Sequence, residues 1–293
     1  MSGCILCPRQ CGAHRSQGEL GVCGETGDMR IARAALHPFE EPPISGTRGS
    51  GTVFFCGCPL RCVYCQNKSI SRGMQAGQPI TPHELALLFL SLQAQGAHNI
   101  NLVTPTHFAD GIVAALTEAK PRLSIPVVYN TSGYERVEML RMLEGLVEIY
   151  MPDFKYASAE LGRKYSAAGD YPRVAEAALT EMYRQVGAVV MGGDGLMKRG
   201  LLVRHLVLPG GRKDSIALLE RLADLLPPKE ILLSLMSQYT PEFAMDTPYP
   251  ELHRRVTTFE YETVMSRAVS LGFEGFMQGR ASATSVYTPT FSE

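Results

Sequence analysis

The chain has 293 residues, 45% of them hydrophobic and 19% charged, with no tryptophan and a formal net charge of -1. That apolar share excludes an intrinsically disordered chain. The near-neutral balance gives no reason to expect nucleic acid or an anionic membrane as a partner. No apolar run approaches the roughly 20 residues that span a bilayer. The opening MSGCILCPRQCG has neither the apolar stretch nor the small-residue cleavage site of a signal peptide. The expectation is a cytoplasmic protein with one large domain and a small appendage.

All eight cysteines fall within the first 65 residues. In a reducing compartment, clustered thiols bind metals more often than they pair as disulfides. Cys4, Cys7, Cys11 and Cys23 form one group, and Cys56, Cys58, Cys62 and Cys65 a second.

Residues 1–50 show little periodicity and read as a Cys-rich extension, with 40–51 as a connector. A new pattern starts at residue 51. GTVFF (51–55) reads as a strand entering the second cysteine group. Residues 81–96 read as a helix with Thr81 as N-cap, Pro82 at N1, Glu84 completing a capping box and Gly96 as the stop. Strands follow at 99–104, 125–130, 147–151, 200–208, 230–236 and, short and last, 273–277. Helical stretches lie at 109–120, 134–143, 158–188, 213–226 and 250–271.

Strands alternating with helices predict βαβ units and a parallel sheet. Six such strands fit a partial (β/α)6 barrel over 51–280, followed by a polar tail at 281–293. A doubly wound sheet is the alternative that periodicity does not separate. Each strand ends in a polar or ligand-capable loop: CGCPLRCVYCQN, TPTH, NTSGY, PDFKY, LPGG and SQYTP. In parallel α/β folds ligands bind at those C-terminal ends, so the loops should meet on one face.

Cys58, Cys62 and Cys65 have C-x3-C-x2-C spacing directly after the first of these strands. Three close thiolates suit a soft metal or an iron–sulfur cluster. A structural zinc site would call for four closed ligands. Cys56 could serve as a fourth ligand, which would make an ordinary closed cluster. A buried, inert thiol is the preferred reading of Cys56.

This spacing and position resemble the radical S-adenosylmethionine (SAM) superfamily. GSGTVFFCGCPLRCVYCQN is similar to the activating enzymes of pyruvate formate-lyase and related glycyl radical enzymes. NLVTPTH, VYNTSGYE, YMPDFKY, RHLVLPG and SLMSQYTP resemble uncharacterised relatives of those enzymes. The resemblance implies a [4Fe–4S] cluster on Cys58, Cys62 and Cys65, with one iron left for SAM. It implies reductive cleavage of SAM to a 5'-deoxyadenosyl radical, hydrogen abstraction from an unknown substrate, and an electron donor such as flavodoxin or ferredoxin. By the same resemblance Tyr64 lies near the adenine, Asp153 and Lys155 match a D-x-K element at the methionyl part of SAM, and His205 matches a histidine near its carboxylate. Asn130, with Thr131 and Ser132, is a candidate for the adenosyl site. The alternative for Asn130 and Ser132 is service to their own turn.

Two departures bear on the substrate. Thr104-Pro-Thr-His107 stands where many members carry a GGE-like element. Gln66 stands where glycyl radical activating enzymes show histidine. Both argue against a glycyl radical enzyme as target, although kinship still favours a protein or peptide over a small molecule.

Cys4-x2-Cys7-x3-Cys11-x11-Cys23 offers a second metal site, zinc or iron–sulfur, which spacing does not distinguish. A segment this short lacks a core, which a metal staple would replace. The functions competing with a radical enzyme are an iron–sulfur electron carrier with fully ligated clusters and a zinc-stabilised binding module.

Overall fold

A computed structural model of the chain describes residues 3–72 and 77–277. The tail expected at 281–293, and the last residues of the expected core, lie outside the described residues.

The cysteine-rich segment leads into β1 (Arg30–His37) and a single turn, α1 (Pro42–Ser45). Then come β2 (Ser50–Phe55), α2 (Lys68–Ser71), a short β3 (Gln78–Pro79) and α3 (Pro82–Ala94). Successive units follow as β4 (Ile100–Val103), α4 (Ala109–Ala119), β5 (Val127–Thr131), α5 (Val137–Arg141) and β6 (Ile149–Pro152). The chain continues through α6 (Ala159–Ser166), α7 (Tyr171–Val186), the two-residue β7 (Val190–Met191), β8 (Met197–Leu206) and α8 (Arg212–Leu225). It ends in β9 (Leu232–Met236), α9 (Thr258–Ser270) and β10 (Glu274–Met277).

The strands join in the order β10-β9-β8-β6-β5-β4-β2-β1-β3, with β7 paired to β8. From β2 through β10 the neighbours along this path are parallel, while β1 runs antiparallel to β2 and to β3. This is a mostly parallel α/β sheet with an open path, as a partial barrel requires.

Local chemistry accounts for the helix ends. Thr81 accepts from the backbone N–H of Glu84, whose carboxylate accepts from Thr81 N–H at 2.9 Å, so the expected capping box is present. The helical stretch expected at 158–188 is two helices. Ala167 closes α6 in the left-handed conformation (φ 49°), and Pro172 sits in the first turn of α7. The stretch expected at 250–271 is likewise a short 3-10 turn followed by α9, which Thr257 caps with its own box.

The connector expected at 40–51 has a structural role. Ile44 of α1 is fully buried against Val128, Ile149, Met151, Met197 and Leu202. These side chains fill the interior of the sheet's curve, below the C-terminal ends of its strands. Residues 30–37 are also part of the sheet, because β1 pairs with β2 from Ile31–Phe55 to His37–Ser50. The boundary drawn at residue 50 therefore falls between paired strands.

Strand parity sorts the site. On β8, Leu202 packs in the interior cluster, and Arg204 and Leu206 line the cavity above it. Val203 and His205 face the helical layer, where His205 meets Ser215 of α8.

Candidate functional site

The cysteine loop leaves β2 at its C-terminal end. Cys56 N–H still donates to Arg30 O, at 3.0 Å, so residue 56 is held beside β1. Gly57 then takes φ 77°, a conformation that favours glycine, and turns the chain. A side chain there would lie 2.8 Å from Cys23 O and 2.5 Å from Glu25 Cγ. Past this turn, Cys58 N–H donates to Cys23 O at 3.1 Å, and Val63 N–H to Tyr165 O at 2.8 Å.

Cys58, Cys62 and Cys65 all line one cavity of about 720 Å³. Cys56 is fully buried and lies outside its wall. Burial pushes the Cys58 thiol up to about 12, with the Cys62 and Cys65 sulfurs adding to it, and burial likewise raises Cys65. Thiols in such surroundings become thiolates when a soft cation takes the proton's place. Among the described residues no three His, Cys, Asp or Glu side chains stand at the spacing of a single metal ion. The three cysteines share a cavity wall instead.

Tyr64 lines the same cavity. Its hydroxyl meets Tyr156 Oη at 2.7 Å, Tyr156 Oη meets Ser166 Oγ at 2.8 Å, and Ser166 Oγ donates to Cys62 Sγ at 3.1 Å. A buried hydroxyl chain thus ties the aromatic residue to a cysteine two positions away.

Four charged groups meet on the same cavity. Lys155 Nζ lies 2.6 Å from Asp153 Oδ2, and Arg204 Nε donates to Asp153 Oδ1 at 3.1 Å. Burial works to raise the Asp153 carboxyl, but Lys155 and Arg204 outweigh it and hold the group below its ordinary range. Burial works against the Lys155 ammonium, and Asp153 more than restores it. Arg204 also donates to Asn130 Oδ1 at 2.6 Å and stands 3.5 Å from Glu40 Oε2. Glu40 accepts from Asn101 Nδ2 at 3.0 Å. Burial raises the Glu40 carboxyl, and Arg204 opposes the rise.

The structure places Asn130, Asp153, Lys155 and Tyr64 on the cavity that the three cysteines line. His205 is not on it. Its Nδ1 meets Phe154 O at 2.7 Å and its Nε2 meets Ser215 Oγ at 2.9 Å, both outside the cavity. Burial lowers it to about 4, so it is a neutral imidazole satisfied within the fold. The residue before it, Arg204, occupies the cavity wall.

The TPTH loop divides in the same way. Thr104, with φ 59°, lines the cavity. Thr106 and Thr131 donate to the buried carboxylate of Glu135. His107 Nε2 meets Cys56 O at 2.7 Å. Gln66 lines the cavity and donates to Gln238 O at 3.3 Å. Sequence reasoning missed Arg204 and Glu40. The signal for Arg204 was its parity with Leu202 and Leu206 in the strand. Glu40 had none, being one of two acids in a proline-rich connector.

The cavity wall fits a cluster and an amino-acid ligand. It offers three soft thiols, a pair of cations with a pair of carboxylates, and two buried hydroxyls, Ser132 Oγ and Ser234 Oγ, that lack a protein partner. Its volume is within the roughly 300–1,000 Å³ of small-molecule sites. The N-terminal cysteines stand apart from this wall. Cys7 and Cys23 are buried, and Cys4 and Cys11 are partly exposed.

The family model for the radical SAM superfamily matches residues 52–195. An uncharacterized protein of Methanocaldococcus jannaschii is 28% identical over 275 residues, covering 90% of this chain and 74% of that protein. No described helix is long and apolar enough to cross a membrane. The matched region runs from the cysteine loop through the strands that carry Asn130, Asp153 and Lys155, and with that the chain belongs to the radical SAM superfamily, whose members use a [4Fe–4S] cluster, SAM and an electron donor.

Proposed function

We propose that this protein cleaves SAM reductively and uses the resulting radical to take a hydrogen atom from a substrate held in the same cavity. The carrying observation is the convergence of Cys58, Cys62 and Cys65 with Asp153, Lys155, Arg204 and Asn130 on one cavity wall. When bound at the three cysteines, a [4Fe–4S] cluster supplies the electron that breaks the sulfonium bond. Lys155 and Arg204 provide the positive charge that an amino-acid carboxylate needs, and Asp153 and Glu40 the negative charge for its ammonium. Tyr64 presents an aromatic face for the adenine. Ser132 and Ser234 offer hydroxyls to a ligand that replaces their lost water contacts.

In this reading the immediate electron source is a flavodoxin or ferredoxin, and the substrate is a protein or peptide, as in the activating enzymes this chain resembles. Gln66 and the TPTH loop set it apart from activators of glycyl radical enzymes.

The experiment is anaerobic. The chain is reconstituted with iron and sulfide, reduced and given SAM, and 5'-deoxyadenosine and methionine are measured. Formation of both in equal amounts supports the reading. Iron bound with four protein ligands and no SAM-dependent change in the electron paramagnetic resonance spectrum would overturn it in favour of an electron carrier.

A further inference from the structure

Ser166 is the last residue of α6, and Ala167 stops the helix behind it in the left-handed conformation. A serine within a helix commonly turns its hydroxyl back onto the carbonyl four residues earlier. Ser166 Oγ donates instead to Cys62 Sγ at 3.1 Å, across a sequence separation of 104 residues. The surrounding backbone is built to hold this contact. Tyr165 O accepts from Val63 N–H at 2.8 Å, one residue to the side of each partner. Arg9 donates to Ser166 O at 2.7 Å and to Pro59 O at 2.8 Å, clamping the end of α6 to the cysteine loop. Ser166 is 1% exposed and Cys62 8%, so bulk water has little access to the bond.

The bond is the end of a longer row. Tyr156 Oη lies 2.8 Å from Ser166 Oγ, and Tyr64 Oη 2.7 Å from Tyr156 Oη. Each hydroxyl can donate or accept, and so can a thiol, so with Cys62 protonated the row can run in either direction. A cysteine that ligates a cluster is a thiolate and carries no hydrogen. Ser166 then gives its one hydrogen to sulfur, Tyr156 gives its own to Ser166, and Tyr64 to Tyr156. Three aligned O–H dipoles end on one anionic sulfur, each strengthening the next.

We propose that Ser166 raises the reduction potential of the cluster at Cys58, Cys62 and Cys65, and that Tyr156 and Tyr64 act through it. The inference rests on the placing of a [4Fe–4S] cluster at those three cysteines, proposed above. Reduction adds negative charge that the cysteine sulfurs share. A hydrogen bond to one of them favours the reduced form, which makes the cluster easier for an electron donor to reduce. Cys65 also has a hydroxyl beside it, Ser71 Oγ at 3.4 Å, with either atom able to donate. The bond to Cys62 is shorter, has a fixed donor and is backed by two further hydroxyls, so it carries the larger effect. Ser166 touches neither substrate nor SAM in this assignment and is a positioning residue.

The test is a redox titration of the reconstituted full chain without SAM, followed by electron paramagnetic resonance, so that turnover plays no part. Iron and sulfide are measured on each sample. Ser166→Ala should keep the parent's cluster content and show a lower potential. At a fixed poise its ratio of reduced to oxidised cluster should fall by about tenfold, equivalent to about 59 mV for a one-electron couple. Tyr156→Phe leaves the Ser166 bond in place and removes the group that polarises it, so its shift should have the same sign and be smaller. A purely structural role for Ser166 would lower the melting temperature and leave the potential where it was. An intact cluster whose potential ignores Ser166→Ala overturns this inference alone. If Ser166→Ala does not fold, Tyr156→Phe decides, and an unchanged or higher potential there overturns it. A parent chain that holds no [4Fe–4S] cluster overturns the placing of the cluster and this inference with it.

Discussion

Arg204 donates through Nε to Asp153 Oδ1 at 3.1 Å, joining two strands at the point where their side chains turn into the cavity. The contact continues the pairing of β6 and β8 as an isolated bridge between the same two residues. Asp153 is therefore held ionised and oriented, with Lys155 on its other oxygen.

Removing this cation should cost both fold and ligand. Arg204→Ala leaves the Asp153 and Glu40 carboxylates short of a partner in a mostly buried place, and breaking such a pair costs about 3–5 kcal/mol. SAM affinity should fall by about tenfold or more, measured by equilibrium binding to the reconstituted protein. His205→Ala should separate from it. It loses two buried hydrogen bonds, at about 1–3 kcal/mol of stability, and leaves SAM affinity close to that of the parent. A large loss of affinity in His205→Ala alone would reverse the two assignments.

The cysteines should divide by position. Cys58→Ala, Cys62→Ala and Cys65→Ala should each abolish SAM cleavage and the cluster's charge-transfer absorption. Cys56→Ala should keep both and lose about 1 kcal/mol for the methyl-sized void it creates. Iron and sulfide analysis alongside product assay reads the difference. Equal loss in Cys56→Ala would make it a ligand.

Gly57→Ala probes the seat of the loop. It combines a left-handed backbone with a methyl group 2.5 Å from Glu25 Cγ. A cost of at least about 1–2 kcal/mol follows from the backbone alone. Because Cys58 hangs on Cys23 O, cluster incorporation should drop with stability, while Gly145→Ala, also at positive φ but with open space around it, should retain full iron content.

Glu135 should make stability depend on pH. It is 2% exposed, and burial raises its carboxyl from 4.5 to about 7 against the opposing donors Thr106 and Thr131. A raised carboxyl binds its proton more tightly in the fold. Its contribution is therefore fully present below about pH 4.5 and is lost as pH rises through 7. Glu135→Gln keeps an acceptor for the threonines and removes the titration. Its melting temperature should match the parent near pH 4.5 and exceed it at pH 8, by up to roughly 3 kcal/mol in stability. A difference that is constant with pH would contradict this.

Much of the site was legible because its chemistry is written in short strings. The three cysteines and the Asp153–Lys155 element each sit within a few residues and directly after a strand; spacing singled out the cysteines, and the resemblance to a known element singled out Asp153 and Lys155. His205 shows the limit of that approach. Assigning a role to a residue within a strand requires knowing which face is inward, and one position's error exchanges cavity for helical layer. Glu40 was illegible for a different reason. It stands among Pro38, Pro42 and Pro43, and what pins the segment inside the sheet's curve is tertiary: the burial of Ile44 four residues later, with Asn99 Nδ2 donating to Ile44 O at 2.7 Å. β1 escaped notice because most of its residues are only partly buried and show no sharp alternation.

The burial of Ile44 decides what a shortened form of this protein would be. A chain cut to begin at residue 51, close to where the family match starts, would not be a smaller version of the same enzyme. It would lose Glu40 from the cavity and uncover Val128, Ile149, Met151 and Leu202 at once, together with the edge of β2 that β1 now covers. An open strand edge next to a fresh apolar surface is a template for aggregation. Truncation should therefore yield insoluble protein, and the smallest soluble form should begin no later than the start of β1.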